Sequence, residues 1–528
     1  MTQPSRLCAD SSAAKADGVD RLSDPSPANA PHNASKAADL LSRGKPALVW
    51  RKVIADTETP ISVATKLIVS ERGDFLLESV EGGETRGRYS LLGLDPDLVF
   101  RASDRAASIN RAWHHDRLAF EDCAQDSLTE LRRLAISCQI DVPEELPPAL
   151  ACLVGYFGYE TVGLVEDLPR APDSPLGLPD MLFVRPTLIF VFDRLTDELF
   201  CIAPIWHAQD PASAIARAGE RIDEALSMLG HGCPAEPQAT NLPAMDLEPV
   251  MRGDDYKALV AKAKDYITAG DIFQVVLAQR FTCPFPLPSF SLYRALRRVN
   301  PSPFLYFLDF PGFAVVGSSP EILVRVRDGE VTIRPIAGTR PRGATGAEDR
   351  ANEKSLLADP KELAEHLMLL DLGRNDVGRV AARDSVAVTD SFTIERYSHV
   401  MHIVSNVVGE LDPSKDALDA LFAGFPAGTV SGAPKIRACE IIAELEPEAR
   451  GAYAGGVGYF APDGSVDSCI VLRTAVVKDG VMHVQAGAGI VADSDPDYEL
   501  AECKAKAGAL IAAAREAARI AGEPGFGQ

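Results

Sequence analysis

Apolar and polar residues alternate with a period of two in several segments of the chain, and this period predicts β-strands. The pattern occurs in FLLESVEGG, TLIFVFDRLTDELFCIAPI and EILVRVRDGEVTIRPIAG. The last two segments carry polar turns at 193–197 and 328–330, so each is predicted to form a hairpin. A further predicted strand, YSHVMHIVSNVVGEL, places His402 on the same face as Val404 and Val408. A lone histidine on such a face is typical of a buried core group.

Three other segments repeat apolar residues every three or four positions, which predicts amphipathic helices. Two of them, ASAIARAGERIDEALSMLG and DDYKALVAKAKDYITAG, end at a glycine, a residue that commonly terminates helices. In the third, ADPKELAEHLMLLDLGRND, Asp359 is the predicted N-cap and Pro360 takes the first helical position. Glu362 completes an acidic version of the capping box, whereas Glu365, one turn further on, has no such structural role.

A last helix, predicted in DSDPDYELAECKAKAGAL, carries Glu499, Glu502 and Lys506 along one edge of its apolar face. This edge has two interpretations. Glu502 and Lys506 can form an i,i+4 surface pair worth ~0.2–0.5 kcal/mol, or the edge can bind a metal ion and an anion. Magnesium is usually held by one or two carboxylates plus an anionic substrate. One glutamate from each of two helices, Glu365 and Glu502, would suit it.

Length and charge limit the class of protein. The 528 residues are 46% hydrophobic and carry a formal net charge of -22. This length allows about three domain-sized units or one large double-layered fold, and the negative charge argues against binding to nucleic acid. The ten cysteines show no metal-binding spacing and indicate reduced thiols. No apolar segment reaches the ~18 residues that span a bilayer, so we expect a cytoplasmic globular protein.

Composition also divides the chain into regions. Residues 1–45 are rich in Ala, Ser, Asp and Pro and are predicted to be a disordered extension that is neither a secretory nor an organellar signal. Ordered structure is expected over 46–232 and 251–515, with a proline-rich linker at 233–250 between them. A short tail is expected at 516–528.

Three segments have features of an anion site. Small residues at 487–489 follow a predicted strand and would let backbone N–H groups approach a carboxylate, although a β-bulge or tight turn explains the same pattern. Arg473 interrupts an apolar strand and is either an edge-strand charge or a buried guanidinium that awaits a carboxylate. GFPAGTVSGAPK is glycine-rich, but Pro434 precedes Lys435 and no Ser or Thr follows, so the phosphate-loop pattern fails.

Eight separated motifs give a resemblance to a known family. They are, in order, LLES, NPSP, PIAGTRPRG, EHLMLLDLGRND, YSHVMHIVS, GTVSGAPK, GYFAPDGSVDSCIVLRTA and QAGAGIVADSDPDYELAECKAKA. Together they resemble the chorismate-utilising enzymes, most closely the anthranilate synthase component I family, over roughly residues 46–515. The resemblance implies an α/β fold in which two antiparallel β-sheets pack face to face with outer helices. The N-terminal and C-terminal parts are intertwined in that fold.

The resemblance also implies an activity. Such an enzyme aminates chorismate at C2 with Mg²⁺ and eliminates pyruvate to give anthranilate, the first committed step of tryptophan biosynthesis. Ammonia comes from a glutamine amidotransferase subunit, and this chain has no cysteine in the G-x-C-x-G setting of a glutaminase nucleophile. Tryptophan is the expected feedback inhibitor.

Site residues are carried over from the matching motifs. The implied metal ligands are Glu365 and Glu502, with Glu362 and Glu499 as nearby carboxylates that act through water. Implied contacts to the substrate are Gly338, Thr339, Tyr453, Arg473, Gly487, Ala488 and Gly489. Implied catalytic groups are His402, Thr429 and Lys506. The implied tryptophan pocket contains Glu78, Ser79, Pro303, Phe304 and Leu305, where the family usually has Tyr-Met in place of Phe304-Leu305.

Two positions separate the members of the family. Isochorismate and salicylate synthases carry a water-activating lysine where this chain has Gln274, and aminodeoxychorismate synthases carry a nucleophilic lysine where it has Ala337. Anthranilate is therefore the expected product. The alternatives are an aminodeoxychorismate synthase and a non-catalytic tryptophan-binding sensor. Intact Glu365, His402 and Glu502 argue against the sensor.

Overall fold

The computed structural model describes residues 31–81, 85–234, 239, 242–397 and 400–523. The α-helices of this part are α1 (Ala34–Ser42), α2 (Pro60–Leu67), α3 (Ser127–Ser137), α4 (Pro211–Leu229), α5 (Gly253–Ala269), α6 (Ser289–Val299), α7 (Gly346–Leu357), α8 (Pro360–Gly378), α9 (Ala417–Ala423), α10 (Lys435–Leu445) and α11 (Pro496–Gly522). Short 3-10 helices lie at Tyr159–Leu164 and Gly428–Val430.

The strands form two antiparallel sheets. In chain order they are β1 (Ala47–Ile54), β2 (Asp74–Glu81), β3 (Thr85–Leu94), β4 (Leu98–Ser103), β5 (Ala106–Asn110), β6 (Glu121–Asp122), β7 (Leu153–Phe157), β8 (Met181–Arg185), β9 (Leu188–Asp193), β10 (Glu198–Ile205), β11 (Glu248–Pro249), β12 (Gln274–Pro284), β13 (Phe304–Phe310), β14 (Phe313–Ser319), β15 (Ile322–Arg327), β16 (Glu330–Ile333), β17 (Ile336–Pro341), β18 (Ala387–Arg396), β19 (Val400–Glu410), β20 (Gly432–Ala433), β21 (Gly456–Phe460), β22 (Val466–Ile470), β23 (Thr474–Lys478) and β24 (Val481–Ile490).

Each sheet has 12 strands. The first runs in the order β1-β10-β9-β3-β2-β13-β14-β23-β24-β12-β11, with β20 beside β12. The second runs β17-β19-β16-β15-β22-β21-β7-β8-β4-β5-β6, with β18 beside β19. Both sheets thus mix strands from the two regions 46–232 and 251–515, because β2 pairs with β13 and β7 pairs with β21. The predicted fold class is confirmed.

Local signals place the hairpins and helices correctly. The predicted turns fall between β9 and β10 and between β15 and β16. In the second turn Asp328 and Gly329 both have positive φ, 52° and 76°, which is the turn geometry that matches the twist of a hairpin. Buried apolar side chains from both sheets and from the helices form a large core that runs from Ala37 to Ala517, and Leu356, Met401 and Ile403 form a second, small cluster.

Three predicted boundaries need correction. The extension 1–45 contains helix α1, which buries Ala37 and Leu41, so the prediction of disorder is wrong for that part, while residues 1–30 lie outside the described residues. The linker 233–250 includes β11 and the buried Met245, and its residues 235–238 and 240–241 also lie outside the described part. The tail expected from residue 516 continues α11 as far as Gly522.

Two helices position the site. Helix α8 packs on β17 and β19 of the second sheet, and α11 packs on β24 of the first sheet. In the described ranges, no helix combines the length and the apolar character needed to cross a bilayer.

Candidate functional site

Helices α8 and α11 bring four carboxylates into one neighbourhood. Burial raises the pKa of Glu365, and the nearby carboxylates of Glu362 and Glu502 raise it further. Burial likewise raises the pKa of Glu499, with a further contribution from Glu502. Like charges that share a site destabilise one another unless a cation is present. Lys506 and Lys361 lower the pKa of Glu365, but burial and the carboxylates outweigh them, so an added cation would stabilise the charged form of Glu365.

Two of these carboxylates already have partners. Glu502 forms an i,i+4 ion pair with Lys506 at 2.7 Å, as the surface interpretation predicted, and Lys506 also donates to the carbonyl of Gly487 at 3.0 Å. Glu362 accepts from Arg340 at 2.9 Å. Asp359 caps α8 as predicted, through the N–H groups of residues 361 and 362. The acidic capping box is wrong, because the Glu362 carboxylate turns to Arg340 and not to the cap.

The carboxylates of this site fit a magnesium ion, but they do not fit a metal that is held by protein side chains alone. Across the described ranges, no group of three or more His, Cys, Asp or Glu side chains could hold an ion by itself. Magnesium needs only one or two carboxylates when water and an anionic substrate supply the other oxygens. Glu365 lacks a hydrogen bond or ion pair within the described part of the chain, so its oxygens are available for this role.

Strand β24 presents backbone groups to the same region. Residues 487–489 belong to this strand, opposite Ala278, Leu277 and Val276 of β12, so neither a turn nor a bulge explains their small size. A Cβ at Gly487 would lie 2.9 Å from the Tyr453 hydroxyl oxygen, and one at Gly489 would lie 2.6 Å from Gln274 Nε2. Ala488 is fully buried. These glycines allow close approach of side chains to the strand.

One edge of β24 is open near the site. β23 pairs with β24 only as far as Val484, and the Gly487 carbonyl on this edge accepts from Lys506. The N–H and C=O groups of a strand residue point to the same edge, and the edge alternates from residue to residue. The N–H groups of Gly487 and Gly489 therefore lie on the open edge, where that of Gly487 faces the Tyr453 hydroxyl and that of Gly489 can meet an anion.

His402 is a neutral base in this structure. Its Nδ1 lies 2.8 Å from the Gly338 carbonyl and 3.1 Å from the Thr339 hydroxyl, and a carbonyl only accepts. Nδ1 therefore carries the proton and Nε2 keeps a lone pair. Burial lowers the pKa of His402 to about 4, and Arg473 lowers it further. Gly338 has φ +70°, and a Cβ there would lie 3.0 Å from Glu362, so this irregular part of β17 lies between His402 and the carboxylates.

A residue that sequence reasoning missed lies between two predicted ones. Glu321 is buried and accepts from the Thr429 hydroxyl at 3.0 Å. Burial raises its pKa to about 8, although Thr429, the Ile336 N–H and Arg473 favour the charged form. The carboxyl group is thus mostly protonated at neutral pH. Its sequence signal is that Glu321 is the single carboxylate in GFAVVGSSPEILVRV.

Arg473 has an unusual backbone and an unpaired side chain. It lies between β22 and β23, not inside one strand as predicted, with φ +47°. Burial lowers its pKa and Glu321 raises it, but within the described residues its guanidinium forms neither a hydrogen bond nor an ion pair. A partly buried guanidinium without a partner is suited to bind a carboxylate.

Tyr453 and Gln274 complete the surroundings of β24. Tyr453 is buried, burial raises the pKa of its hydroxyl, and Arg450 lies over its ring at 5.6 Å. Gln274 is buried beside Gly489, and its Oε1 has no hydrogen-bond partner among the residues that the structure describes. A buried carbonyl oxygen without a donor is rare in folded proteins and is expected to meet water or a ligand.

The predicted tryptophan pocket lies elsewhere, on β2 and β13. Leu305 is opposite Glu78 in this pair of strands. Glu78 is buried and binds Arg194, Arg297 and Tyr293 at 2.5–3.0 Å. These partners lower the pKa of Glu78 against the opposing effect of burial, which is the largest single influence. Ser79, Pro303 and Phe304 are partly exposed beside it.

Comparison with known proteins identifies the family. The family model described as chorismate binding enzyme matches residues 74–512. The chain belongs to this family. Its relatives include anthranilate synthase component 1 of Cereibacter sphaeroides, 53% identical over 92% of this chain and 97% of that protein. The protein of the same name from Pseudomonas aeruginosa is 48% identical over 88% of this chain and 94% of that protein.

Solved structures agree with this assignment. Anthranilate synthase component I of Streptococcus pneumoniae superposes with a TM-score of 0.72 at 35% identity, over 87% of this chain and 99% of that one. An isochorismate synthase of Escherichia coli superposes with a TM-score of 0.67 at 20% identity, over 91% of this chain and all of that one. The second match shows the fold alone.

Proposed function

We propose that this chorismate binding enzyme is the synthase component that converts chorismate and ammonia to anthranilate and pyruvate. The observation that carries the proposal is that the chain offers both a buried guanidinium without a partner among the described residues, Arg473 beside His402 and Glu321, and a group of carboxylates around Glu365 and Glu502. Chorismate carries two carboxylates, so it needs a fixed cation for one and a metal bridge for the other. Glu365 and Glu502 would hold that magnesium ion, with Glu362 and Glu499 acting through water.

Each residue has a role set by its contacts. Arg473 and the N–H group of Gly489 bind and orient the substrate carboxylates. Glu321, as the protonated acid, donates a proton to the departing C4 hydroxyl, and Thr429 holds its other oxygen. His402 accepts the C2 proton at Nε2 when pyruvate leaves and the ring becomes aromatic. Bound magnesium would withdraw electron density from the ring through its carboxylate and so favour addition at C2.

The neutral Gln274 favours ammonia over water as the nucleophile. A carboxamide cannot deprotonate water, whereas ammonia needs no activation once it is unprotonated. Ala337 is buried in β17 and supplies no amine. The ammonia source is proposed to be a separate glutamine amidotransferase, and both proteins are proposed to act in the cytoplasm.

The experiment that tests this function uses the purified chain alone. The chain is incubated with chorismate, Mg²⁺ and an ammonium salt at about pH 8.5, a pH chosen to raise the fraction of free ammonia. It should form anthranilate, measured by its fluorescence, and an equal amount of pyruvate, measured by a coupled assay. Glutamine should not replace ammonium. Without ammonium neither product should form.

Three outcomes would contradict the proposal. Isochorismate or salicylate without ammonium would overturn the role of Gln274. Aminodeoxychorismate without pyruvate would favour the aminodeoxychorismate synthase. Glutamine-dependent turnover by the single chain would refute the separate amidotransferase.

A second proposal concerns regulation by tryptophan at Glu78, Ser79, Pro303, Phe304 and Leu305. The Glu78 cluster lies at one side of this pocket, and the apolar Phe304 and Leu305 would receive the indole ring of the inhibitor. This pocket has a physical link to the site. Asn300, at the start of its NPSP loop, accepts from the Ser318 hydroxyl, and the Ser318 N–H donates to the Arg473 carbonyl at 3.2 Å.

We expect tryptophan to inhibit the wild-type chain and Ser79→Arg to remove inhibition while it retains most activity. A long cation at Ser79 would fill the pocket and repel the inhibitor's ammonium group. Inhibition curves and calorimetry measure the effect. Ser103→Arg, at an exposed strand position, is the control and should remain sensitive. Calorimetry that detects no tryptophan binding to the wild type would exclude this pocket.

A further inference from the structure

His366 is a buried histidine that the proposed chemistry does not use. It directly follows Glu365 on α8 and is fully buried. Its Nε2 lies 2.6 Å from the Ser405 hydroxyl of β19, and its Nδ1 has no hydrogen-bond partner in the described part of the chain. A buried polar side chain with an unsatisfied nitrogen is uncommon in folded proteins, and this one lies next to a carboxylate of the site, which suggests a role in that site.

Ser405 is held in place by a distortion of the neighbouring strand. β18 shifts register against β19 between Asp390 and Thr393, and Phe392 within the shift has φ +53°, a conformation that is unfavourable for a bulky residue. The bulge turns the Phe392 N–H to the Ser405 oxygen at 3.1 Å and its ring to His366 at 4.8 Å. Bulges that redirect groups in this way are often found next to active sites.

One hydrogen bond joins β19 to α8 at this point. The Ser405 oxygen accepts from the Phe392 N–H at 3.1 Å and lies 2.6 Å from His366 Nε2, in a bond whose donor depends on the tautomer of the imidazole. A hydrogen bond has a preferred distance and direction, whereas the burial of apolar groups such as Leu370 is non-directional.

This bond joins the two halves of the candidate site. Ser405 lies three residues after His402 on β19, and His366 lies one residue after Glu365 on α8. The ion pairs that join α8 to other elements run elsewhere, from Asp359 and Glu362 to Arg340 of β17, from Lys361 to Asp493 before α11 and from Asp376 to Lys435 of α10. Among the described side chains, His366 with Ser405 is the polar contact that ties α8 to the His402 strand.

We propose that His366 is a positioning residue whose hydrogen bond to Ser405 sets the rotation of α8, so that Glu365 can share a cation with Glu502. The inference rests on the metal role assigned to these glutamates under the proposed function. Small displacements of a ligand reduce binding strongly, because a positioned carboxylate acts over a fraction of an ångström. Loss of the bond should therefore weaken the metal more than it slows the chemical step.

The test measures metal binding directly. Mn²⁺ binding is followed by the EPR signal of the free ion, with chorismate present and ammonium absent so that no turnover occurs. His366→Phe keeps the ring packing and Ser405→Ala keeps the strand, and each should weaken Mn²⁺ binding and raise the half-saturating Mg²⁺ concentration about tenfold or more. His366→Gln keeps a polar group at the Nε2 position and should return within about twofold of the wild type.

Leu370→Ala is the matched control. It opens a cavity under the same face of α8 and should lower the melting temperature without weakening Mn²⁺ binding. If His366→Phe and Ser405→Ala lower only the melting temperature and bind Mn²⁺ as the wild type does, the positioning role is overturned. If the wild type itself forms anthranilate but binds no Mn²⁺, the metal assignment fails together with this inference.

Discussion

Replacing Glu365 or Glu502 by glutamine is expected to reduce turnover by at least about a hundredfold, while the fold remains intact. Glutamine keeps the shape of the side chain but removes the charge that would hold the cation. The melting temperature should change little for Glu502→Gln, because its pair with Lys506 is partly exposed and such pairs contribute ~0–1 kcal/mol. Steady-state assays over a range of Mg²⁺ concentrations and thermal unfolding measure the two effects.

The sign of the stability change at Glu365 is itself informative. A carboxyl group whose pKa is raised in the folded chain contributes stability that is fully present at low pH and is lost as the pH rises through that pKa. Because the pKa of Glu365 is raised by burial and by two carboxylates, Glu365→Gln should be at least as stable as the wild type at neutral pH. A loss of activity without a loss of stability would then point to the metal.

A variant on the same helix provides the control. Glu516 of α11 pairs with Arg519 at 2.8 Å, away from the carboxylate group, and Glu516→Gln should retain wild-type activity and metal response. An unchanged Mg²⁺ response in Glu502→Gln would mean that the edge of α11 is only a surface ion pair.

Features that depend on a few neighbouring residues could be predicted from the sequence. The Asp359 cap, the glycine after α5 and the hairpin turns depend on contacts within about one turn of chain. The sheets as a whole, and the neighbourhood of α8 and α11, came from the family resemblance and not from the periodicity. No local pattern indicates that β2 lies beside β13.

The sequence-based predictions are wrong where a residue distant in the chain determines the local structure. Glu362 has the spacing of a capping box, but Arg340 on β17 is a stronger partner for a carboxylate than a backbone N–H. The segments 34–42 and 516–522 contain few large apolar residues, and Ala37, Leu41 and Ala517 become buried only because other elements cover them. The proton state of His402 depends on the Gly338 carbonyl, which the sequence alone does not place.

The role of Glu321 in the site could not be predicted from the sequence for the same reason. Its segment predicts a strand, and nothing in the spacing distinguishes it from a strand-end charge. Its pKa is raised only because the sheets bury it, and its closeness to Thr429 and Arg473 joins residues more than a hundred positions apart in the chain. A protonated acid at neutral pH is therefore a property of the folded structure.

Replacing Glu321 by glutamine is expected to lower turnover by ~10²–10⁴-fold, the usual contribution of a general acid. Glutamine can still accept from Thr429 but has no proton to give to the leaving hydroxyl. Wild-type kcat/KM for chorismate, measured against pH at constant free ammonia, should fall above about pH 8 as Glu321 loses its proton. Glu321→Gln should lack this alkaline limb.

Stability and a second variant separate this role from a structural one. The pKa of Glu321 rises from 4.5 to about 8 on folding, so its contribution to stability is full below pH 4.5 and is lost as the pH rises towards 8. Glu321→Gln should remove that dependence and leave the chain no less stable at neutral pH. Thr429→Val removes a hydrogen bond that lowers the pKa of Glu321. The alkaline fall in kcat/KM of this variant should therefore move to higher pH, even if the variant is slower than the wild type. If kcat/KM falls at the same alkaline pH in the wild type, Glu321→Gln and Thr429→Val, Glu321 is excluded as the acid. Its ionisation is absent from the first variant and shifted in the second, so the fall would have to come from another group.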